Sequence, residues 1–263
     1  MDYLILLAIG AVMGLFGGLL GIGGSVVMIP AMVIFFGPNQ HLYQAAAMIC
    51  NFFVAASAAV VHKKANVLVV DVIKLLIPAA IVGIIAGVAL SNVTFFSGEN
   101  SKNLTRAFGL FLIYVIFYNL NKLRSFRGGS DGLDLSRSRR SKPLTLLSGV
   151  VTGLSAGLLG IGGGAVCTPL QQLCLRMPLK RAISNSAALI SATALVGAFY
   201  KNITLAKHGI SVVESIKIAA VIIPTASIAA FAGGRLMHVL PKNVVRIAFI
   251  GLLIAASYKM LTA

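Results

Sequence analysis

Two segments of this chain place glycine residues at the same spacing ahead of a proline. Residues 14 to 30 read G-L-F-G-G-L-L-G-I-G-G-S-V-V-M-I-P, and residues 153 to 169 read G-L-S-A-G-L-L-G-I-G-G-G-A-V-C-T-P. Glycine tolerates positive φ and close approach, so its backbone N–H groups can point at a ligand. A helix that resumes after such a break directs the positive end of its dipole at the same point. The pattern predicts backbone sites suited to a small oxyanion.

The inner residues of each segment form the predicted site. They are Gly21, Gly23, Gly24 and Ser25 in the first segment and Gly160, Gly162, Gly163 and Gly164 in the second. The alternative is that the glycines only let helices pack closely. That role suits the outer residues Gly14, Gly18, Gly153 and Gly157. A nucleotide-binding loop fits poorly, because neither run continues into Gly-Lys-Ser/Thr.

Polar residues in two other apolar stretches are further candidates for the site. Asn51 lies in the stretch after the first glycine run, and Asn185 and Ser186 lie in the stretch after the second. Their amide and hydroxyl groups could donate to sulfur or carboxylate oxygens without burying a cation. Hydrogen bonding between helices is the alternative role. We expect Asn185 to make the stronger contact with a ligand, because Ser184 and Ser186 flank it.

Residues for other kinds of chemistry are missing from the apolar stretches. Asp71, Glu214, His62 and His208 all fall near the ends of stretches, so a buried carboxylate relay is not indicated. The sequence shows no acid/base pair, metal-ligand cluster or activated nucleophile. We therefore expect no enzymatic activity, no cofactor and no bound metal. No nucleic-acid partner is expected either, since much of the net charge of +16 falls in a linker and near stretch ends.

Composition places these residues in a membrane protein. Of 263 residues, 58% are hydrophobic and 11% are charged, and the mean hydropathy is +0.96, unlike a soluble domain. Eight apolar stretches cover residues 3–36, 42–61, 67–90, 104–120, 144–175, 182–200, 210–232 and 244–261. Most have the roughly 20 residues that a membrane-spanning helix needs. We predict an all-α membrane protein whose eight long hydrophobic regions resolve into eight to ten transmembrane segments. No Lys or Arg precedes the first stretch, so we expect it to be retained rather than cleaved.

The chain divides into two related halves. We predict a first transmembrane repeat over residues 1–121, a basic cytoplasmic linker over 122–143 and a second repeat over 144–263. Matching features outside the glycine runs include Asn103 to Arg106 with Asn243 to Arg246. The linker is polar and rich in Ser and Gly, as flexible connections are. Its cluster of Arg137, Arg139, Arg140 and Lys142 suits a solvated cytoplasmic loop, with headgroup binding as the alternative.

The glycine runs also bear on membrane topology. Residues 3–36 as one helix would measure about 51 Å, which exceeds a hydrocarbon core of roughly 30 Å. If each glycine segment folds back as two short arms, each half crosses the membrane an odd number of times. The second half is then inverted relative to the first. That arrangement places a larger share of the Lys and Arg residues on the cytoplasmic side than a single crossing does, so we favour an inverted repeat.

The doubled pattern G-x-x-x-G-x-x-G-x-G-G-[SG]-x-x-x-x-P, from Gly14 to Pro30 and from Gly153 to Pro169, resembles the sulfite exporter TauE/SafE family of bacterial permeases. The resemblance covers both halves. It implies that the protein moves small sulfur-containing or organic anions, such as sulfite or sulfoacetate, across the bacterial inner membrane. Two departures from the pattern are Ser25 in place of glycine and the lack of a hydroxyl cluster near Asn51.

Taken together, the residues and the resemblance indicate a secondary transporter for a small anion in a lipid bilayer. A membrane-embedded scaffold or subunit and an anion channel are the alternatives. Assembly into a homo-oligomer is left open.

Overall fold

A computed structural model describes residues 2–96, 101–124, 138, 141–237, 239–240 and 242–262. Within these ranges the chain forms α-helices and short 3₁₀ turns, with no strand. The α-helices are α1 (Tyr3–Leu20), α2 (Ser25–Phe36), α3 (Gln40–Lys64), α4 (Val70–Ser91), α5 (Ser101–Arg124), α6 (Lys142–Leu159), α7 (Gly164–Cys174), α8 (Leu179–Leu205), α9 (Val212–Leu236) and α10 (Lys242–Thr262). The 3₁₀ turns are Thr94–Phe96 and Ala206–His208.

The prediction of an all-α membrane protein is confirmed. Among the described residues, 7 helices are long and apolar enough to cross a membrane, namely α1, α3, α4, α5, α6, α8 and α9. Each predicted apolar stretch corresponds to one helix, or to the pairs α1–α2 and α6–α7 that glycine separates. The two arms of each broken pair differ in length, because each glycine run lies nearer the end of its apolar stretch than its start. α1 and α6 have 18 residues each, whereas α2 has 12 and α7 has 11.

Close packing between helices uses the outer glycines, as predicted. A Cβ atom on Gly14 or Gly18 of α1 would overlap the backbone of α9 at Ala226 or Ala230. The backbone of α4 approaches Gly153 and Gly157 of α6 in the same way. Because lipid tails are as apolar as the side chains, such close backbone contact is a main source of helix association in membranes. Residue numbers rise together along both contacts, so α1 runs parallel to α9 and α6 runs parallel to α4.

The two halves of the sequence interlock. The largest helix contacts join α4 with α6, α1 with α9, α3 with both α8 and α9, and α5 with α10, and each pair takes one helix from each half. The main hydrophobic core accordingly mixes residues of both halves, among them Met28, Phe108, Ile161 and Phe249. Neither half therefore buries its own apolar faces separately.

Helices α3 and α8 cross at the centre and define two ends of the molecule. They are antiparallel, because Lys201 near the end of α8 contacts His41 near the start of α3. We name the end at which α5 ends and α6 begins the linker end; α8 also begins there. The opposite end, where α3 begins and α4 and α8 end, is named the far end.

Candidate functional site

The two glycine breaks have backbone conformations that side chains disfavour. Positive φ angles occur at Gly21 (62°), Gly23 (90°) and Gly24 (82°) in the first break. In the second break they occur at Gly160 (73°), Gly162 (69°) and Gly163 (90°). Gly164 and Ser25 begin the resuming helices α7 and α2. All of these residues are buried.

The breaks meet each other where α3 crosses α8, and Asn51 of α3 lies between them. A Cβ atom on Gly23 would stand 3.1 Å from Asn51 Oδ1, and one on Gly162 would stand 3.0 Å from Asn51 Nδ2. A Cβ atom on Gly164 would stand only 2.6 Å from the Cα of Ile22. Close backbone contact therefore requires glycine at position 164, whereas positive φ favours glycine at positions 23 and 162, where the contact with Asn51 is tight. The structure brings together the predicted glycines, Ser25 and Asn51.

Two hydrogen-bond donors at this meeting point have no protein partner. Asn51 Oδ1 accepts a hydrogen bond from the backbone N–H of Ser25 at 3.2 Å. Within the described part of the chain, Asn51 Nδ2 and Ser25 Oγ are buried without a partner. An unsatisfied buried donor costs about 1 to 3 kcal/mol, and such groups are rare in folded proteins. Both donors are therefore suited to binding a ligand oxygen.

The starts of α2 and α7 differ. Asn51 caps α2 through the Ser25 N–H. On α8, the corresponding contact to the second break comes from Ile190, whose Cγ2 would stand 3.0 Å from a Cβ on Gly162. An aliphatic side chain cannot accept a hydrogen bond, and among the described residues no side-chain cap is present at the start of α7. The first N–H groups of α7 therefore form the more open end for an anion.

A cleft leads from the linker end to the start of α7. It has a cavity volume of about 70 Å³, and its inner wall includes Ile22, Gly164, Ala165 and Thr168. We name it the linker-end cleft. Its basic side chains are Lys180 from α8 and Arg246 from α10. Among the described residues, no Asp or Glu lines it, so its charge favours an anion.

Asn185 and Ser186 lie in a separate buried polar cluster. Asn185 accepts from the Val69 N–H at 2.9 Å and donates to Gln171 Oε1 at 3.0 Å. Ser186 Oγ is 2.9 Å from Thr168 Oγ1, and Thr168 also lines the linker-end cleft. Ser186 is thus connected to the cleft through Thr168, whereas the Asn185 amide is hydrogen-bonded to other groups of the protein. These hydrogen bonds occupy more of the Asn185 amide than of the Asn51 amide; that either asparagine contacts a ligand stays a prediction.

The sequence reasoning missed the basic residues and Thr168 of the cleft. That reasoning used Lys180 and Arg246 only as positive charges that set the orientation of the protein in the membrane. A signal existed in the repeated Asn-x-x-Arg pattern, which ends at Arg106 in the first half and Arg246 in the second. Arg106 is exposed, whereas Arg246 is buried. Only the packing of α10 distinguishes the two.

The long apolar helices define a multi-pass membrane protein. Two glycine-broken helices meet at its centre, and a basic cleft leads to them. The sequence matches the family described as "Sulfite exporter TauE/SafE" over residues 6–260. The chain belongs to this family.

Several known proteins are similar to the chain. It is 27% identical to "Probable membrane transporter protein MamO" of Paramagnetospirillum magneticum, over 99% of this chain and 44% of that protein. A probable membrane transporter protein of Methanocaldococcus jannaschii is 29% identical, over 73% of this chain and 70% of the relative. The chain spans less than half the length of the MamO proteins. No solved structure is significantly similar.

Proposed function

We propose that the protein is a secondary transporter for a small anion in the bacterial inner membrane. The proposed substrates are sulfur-containing oxyanions and organosulfonates, with sulfite and sulfoacetate as the first candidates. The observation that carries the proposal is the linker-end cleft, in which Lys180 and Arg246 precede the open start of α7. The family match supports the same substrate class.

The proposed path has two stages. Lys180 and Arg246 raise the local concentration of anions in the cleft, because a low-dielectric wall focuses their field. Deeper in, the anion meets only neutral donors: the first N–H groups of α7, Thr168, and the unpartnered Asn51 Nδ2 and Ser25 Oγ. Neutral donors bind an oxyanion without forming a buried ion pair, so release to the other side stays feasible.

We also propose that the two halves form an inverted repeat with the linker end in the cytoplasm. The support is directional: α1 runs toward the linker end alongside α9, whereas α6 begins at the linker end and runs away from it alongside α4. Substrate sites of inverted-repeat transporters lie at broken helices near the bilayer midplane, where the halves meet. The contact between Gly164 and Ile22 joins the two breaks in that manner.

A thermal-shift panel on the purified full chain tests substrate binding. Sulfite, thiosulfate, sulfate and sulfoacetate are compared with chloride at constant ionic strength. A ligand of the folded state at about 100 times its Kd stabilises by about 2.7 kcal/mol, so we expect at least one sulfur anion to raise the Tm by several degrees. Lys180→Met should reduce the shift, whereas Lys63→Met, which removes an exposed lysine, should not. Equal Tm values in all four anions and chloride would contradict the proposal.

A further inference from the structure

A fully buried lysine lies at the far end of the molecule. Lys201 of α8 is 0% exposed. Its Nζ donates to Ser91 Oγ at 2.8 Å and is 2.9 Å from His41 Nδ1. These bonds tie α8 of the second half to α4 and α3 of the first. A lysine in a membrane-spanning helix is costly, and where it occurs it usually serves a function.

The partners of Lys201 are neutral. His41 Nε2 is 2.8 Å from the carbonyl oxygen of Phe96, which can only accept, so this nitrogen carries the proton. The Nδ1 of His41 is then free to accept from Lys201, and the ring is uncharged. Ser91 Oγ donates a hydrogen bond to the carbonyl oxygen of Val88 at 2.8 Å. Neither acceptor therefore brings a negative charge to the ammonium group.

Among the described residues, the surroundings supply no counter-charge either. His41 stacks on His208 with ring centroids 3.7 Å apart, and His208 Nε2 is 2.9 Å from Asn92 Oδ1. The cations that interact electrostatically with His208 are Lys201 and the exposed Lys207. Within the described residues, no carboxylate forms an ion pair with Lys201. The carboxylate of Glu214, on α9, interacts electrostatically with Tyr43. An uncompensated buried charge favours any arrangement that brings it an anion.

The position of Lys201 on α8 mirrors that of Lys180. Lys180 lies near the start of α8, in the open linker-end cleft, and Lys201 lies near its other end, where contacts with α3 and α4 close the path. The glycine breaks lie between them, since Ile190 of α8 contacts Gly162. Lys201 is about 16 Å from Ile190 along the helix. The two lysines thus stand on opposite sides of the candidate site.

We propose that Lys201 binds the transported anion when the far end opens, and that His41 and Ser91 hold its ammonium group only while that end is closed. The ligand is an oxyanion of the same class as in the proposed function, on which this inference rests. When the far end opens, the oxygens of the anion replace His41 and Ser91 as the acceptors of the Lys201 ammonium group. Lys180 and Lys201 are then the anion-capturing residues of the two opposite openings.

Transport from each side of the membrane tests this assignment. Right-side-out and inside-out membrane vesicles are prepared from bacteria that produce the full chain, and initial uptake of ³⁵S-sulfite and ³⁵S-sulfoacetate is measured against concentration. Lys201→Gln retains donors for His41 and Ser91 but removes the charge. Losing a hydrogen bond to a charged ligand weakens binding by about ten- to a hundredfold. We expect that increase in KM for entry from the far end only.

Matched variants complete the experiment. Lys180→Met should raise KM from the linker end only, and Lys207→Met, at an exposed lysine beside the cluster, should change neither. An unchanged KM from both sides in Lys201→Gln would overturn the inference, as would an equal loss on both sides, which marks a structural role. If Lys201→Gln does not assemble, Ser91→Ala serves as the second variant: it removes one of the two acceptors that compete with the anion for the ammonium group, so KM for entry from the far end should fall, and an unchanged or raised KM would also overturn the inference. Wild-type vesicles that transport neither anion would overturn the proposed function, and the inference with it.

Discussion

At the scale of single residues, Asn51 is distinguished by what its amide does. Its oxygen caps α2, and its nitrogen faces the second break without a protein partner. Asn185 has the same side chain, but its amide binds Val69, Gln171 and Met177. Chemical type alone therefore did not separate a residue poised for a ligand from one that holds helices together.

Substituting each asparagine should affect ligand binding differently. Asn51→Ala removes a donor to the anion and leaves the Ser25 N–H without its acceptor, so we expect Kd to rise by about ten- to a hundredfold together with a stability loss of about 1 to 3 kcal/mol. Asn185→Ala leaves the Val69 N–H unsatisfied, so we expect a stability loss of about 1 to 3 kcal/mol with a near-normal Kd. Equilibrium binding and thermal unfolding of both purified variants measure this. A normal Kd in Asn51→Ala would remove Asn51 from the site.

The difference between the asparagines also shows what sequence reasoning could reach. The positions of the breaks follow from local glycine patterns, and the helices follow from apolar stretches of membrane-spanning length. Which side of α8 faces the breaks depends on how the helix is rotated in the bundle. Ile183 contacts Gly21, and Asn185, two residues later, points about 200° away around the helix. The burial of Lys201 likewise depends on how α3 and α4 pack against α8.

At the scale of elements, the broken helices α1–α2 and α6–α7 place backbone donors at the centre. Their glycines serve two distinct purposes. Gly14 and Gly153 let a neighbouring helix approach, whereas Gly23 and Gly162 adopt positive φ beside Asn51. Only the second group adjoins the candidate site.

Valine at the breaks should therefore abolish transport. Gly23→Val or Gly162→Val forces a branched side chain into a positive-φ position, at a local cost of about 1 to 3 kcal/mol, and displaces Asn51. Gly37→Val is the matched control, because Gly37 has φ 85° with nothing within 4 Å of its Cβ position. The Gly37→Val variant should have the same backbone strain but should retain transport. Normal assembly and wild-type uptake in both break variants would contradict a role for the breaks.

At the scale of the whole molecule, the two interlocked halves leave one end open and the other closed. The linker-end cleft reaches the start of α7, while Lys201, His41 and Ser91 join three helices at the far end. A transporter that exposes its site to one side at a time requires such an asymmetry in each of its states. The structure is thus consistent with a linker-end-open state.

The proposed topology places position 178, at the start of α8, in the cytoplasm and position 207 outside. In a variant lacking Cys50, Cys167 and Cys174, an impermeant thiol reagent added to intact cells should label Lys207→Cys and spare Pro178→Cys. Permeabilised cells provide the control, since both positions should then react. External labelling at position 178 in intact cells would exclude the inverted arrangement.

Counterflow in proteoliposomes tests the central claim, that this chain carries a small sulfur-containing anion across the membrane. Vesicles containing the purified wild-type chain are loaded with unlabelled sulfite or sulfoacetate and diluted into a trace of the same ³⁵S-labelled anion. A carrier predicts saturable uptake that the internal anion stimulates, above that of protein-free vesicles. Uptake no greater than in protein-free vesicles for both anions, or uptake indifferent to the internal anion, would contradict it.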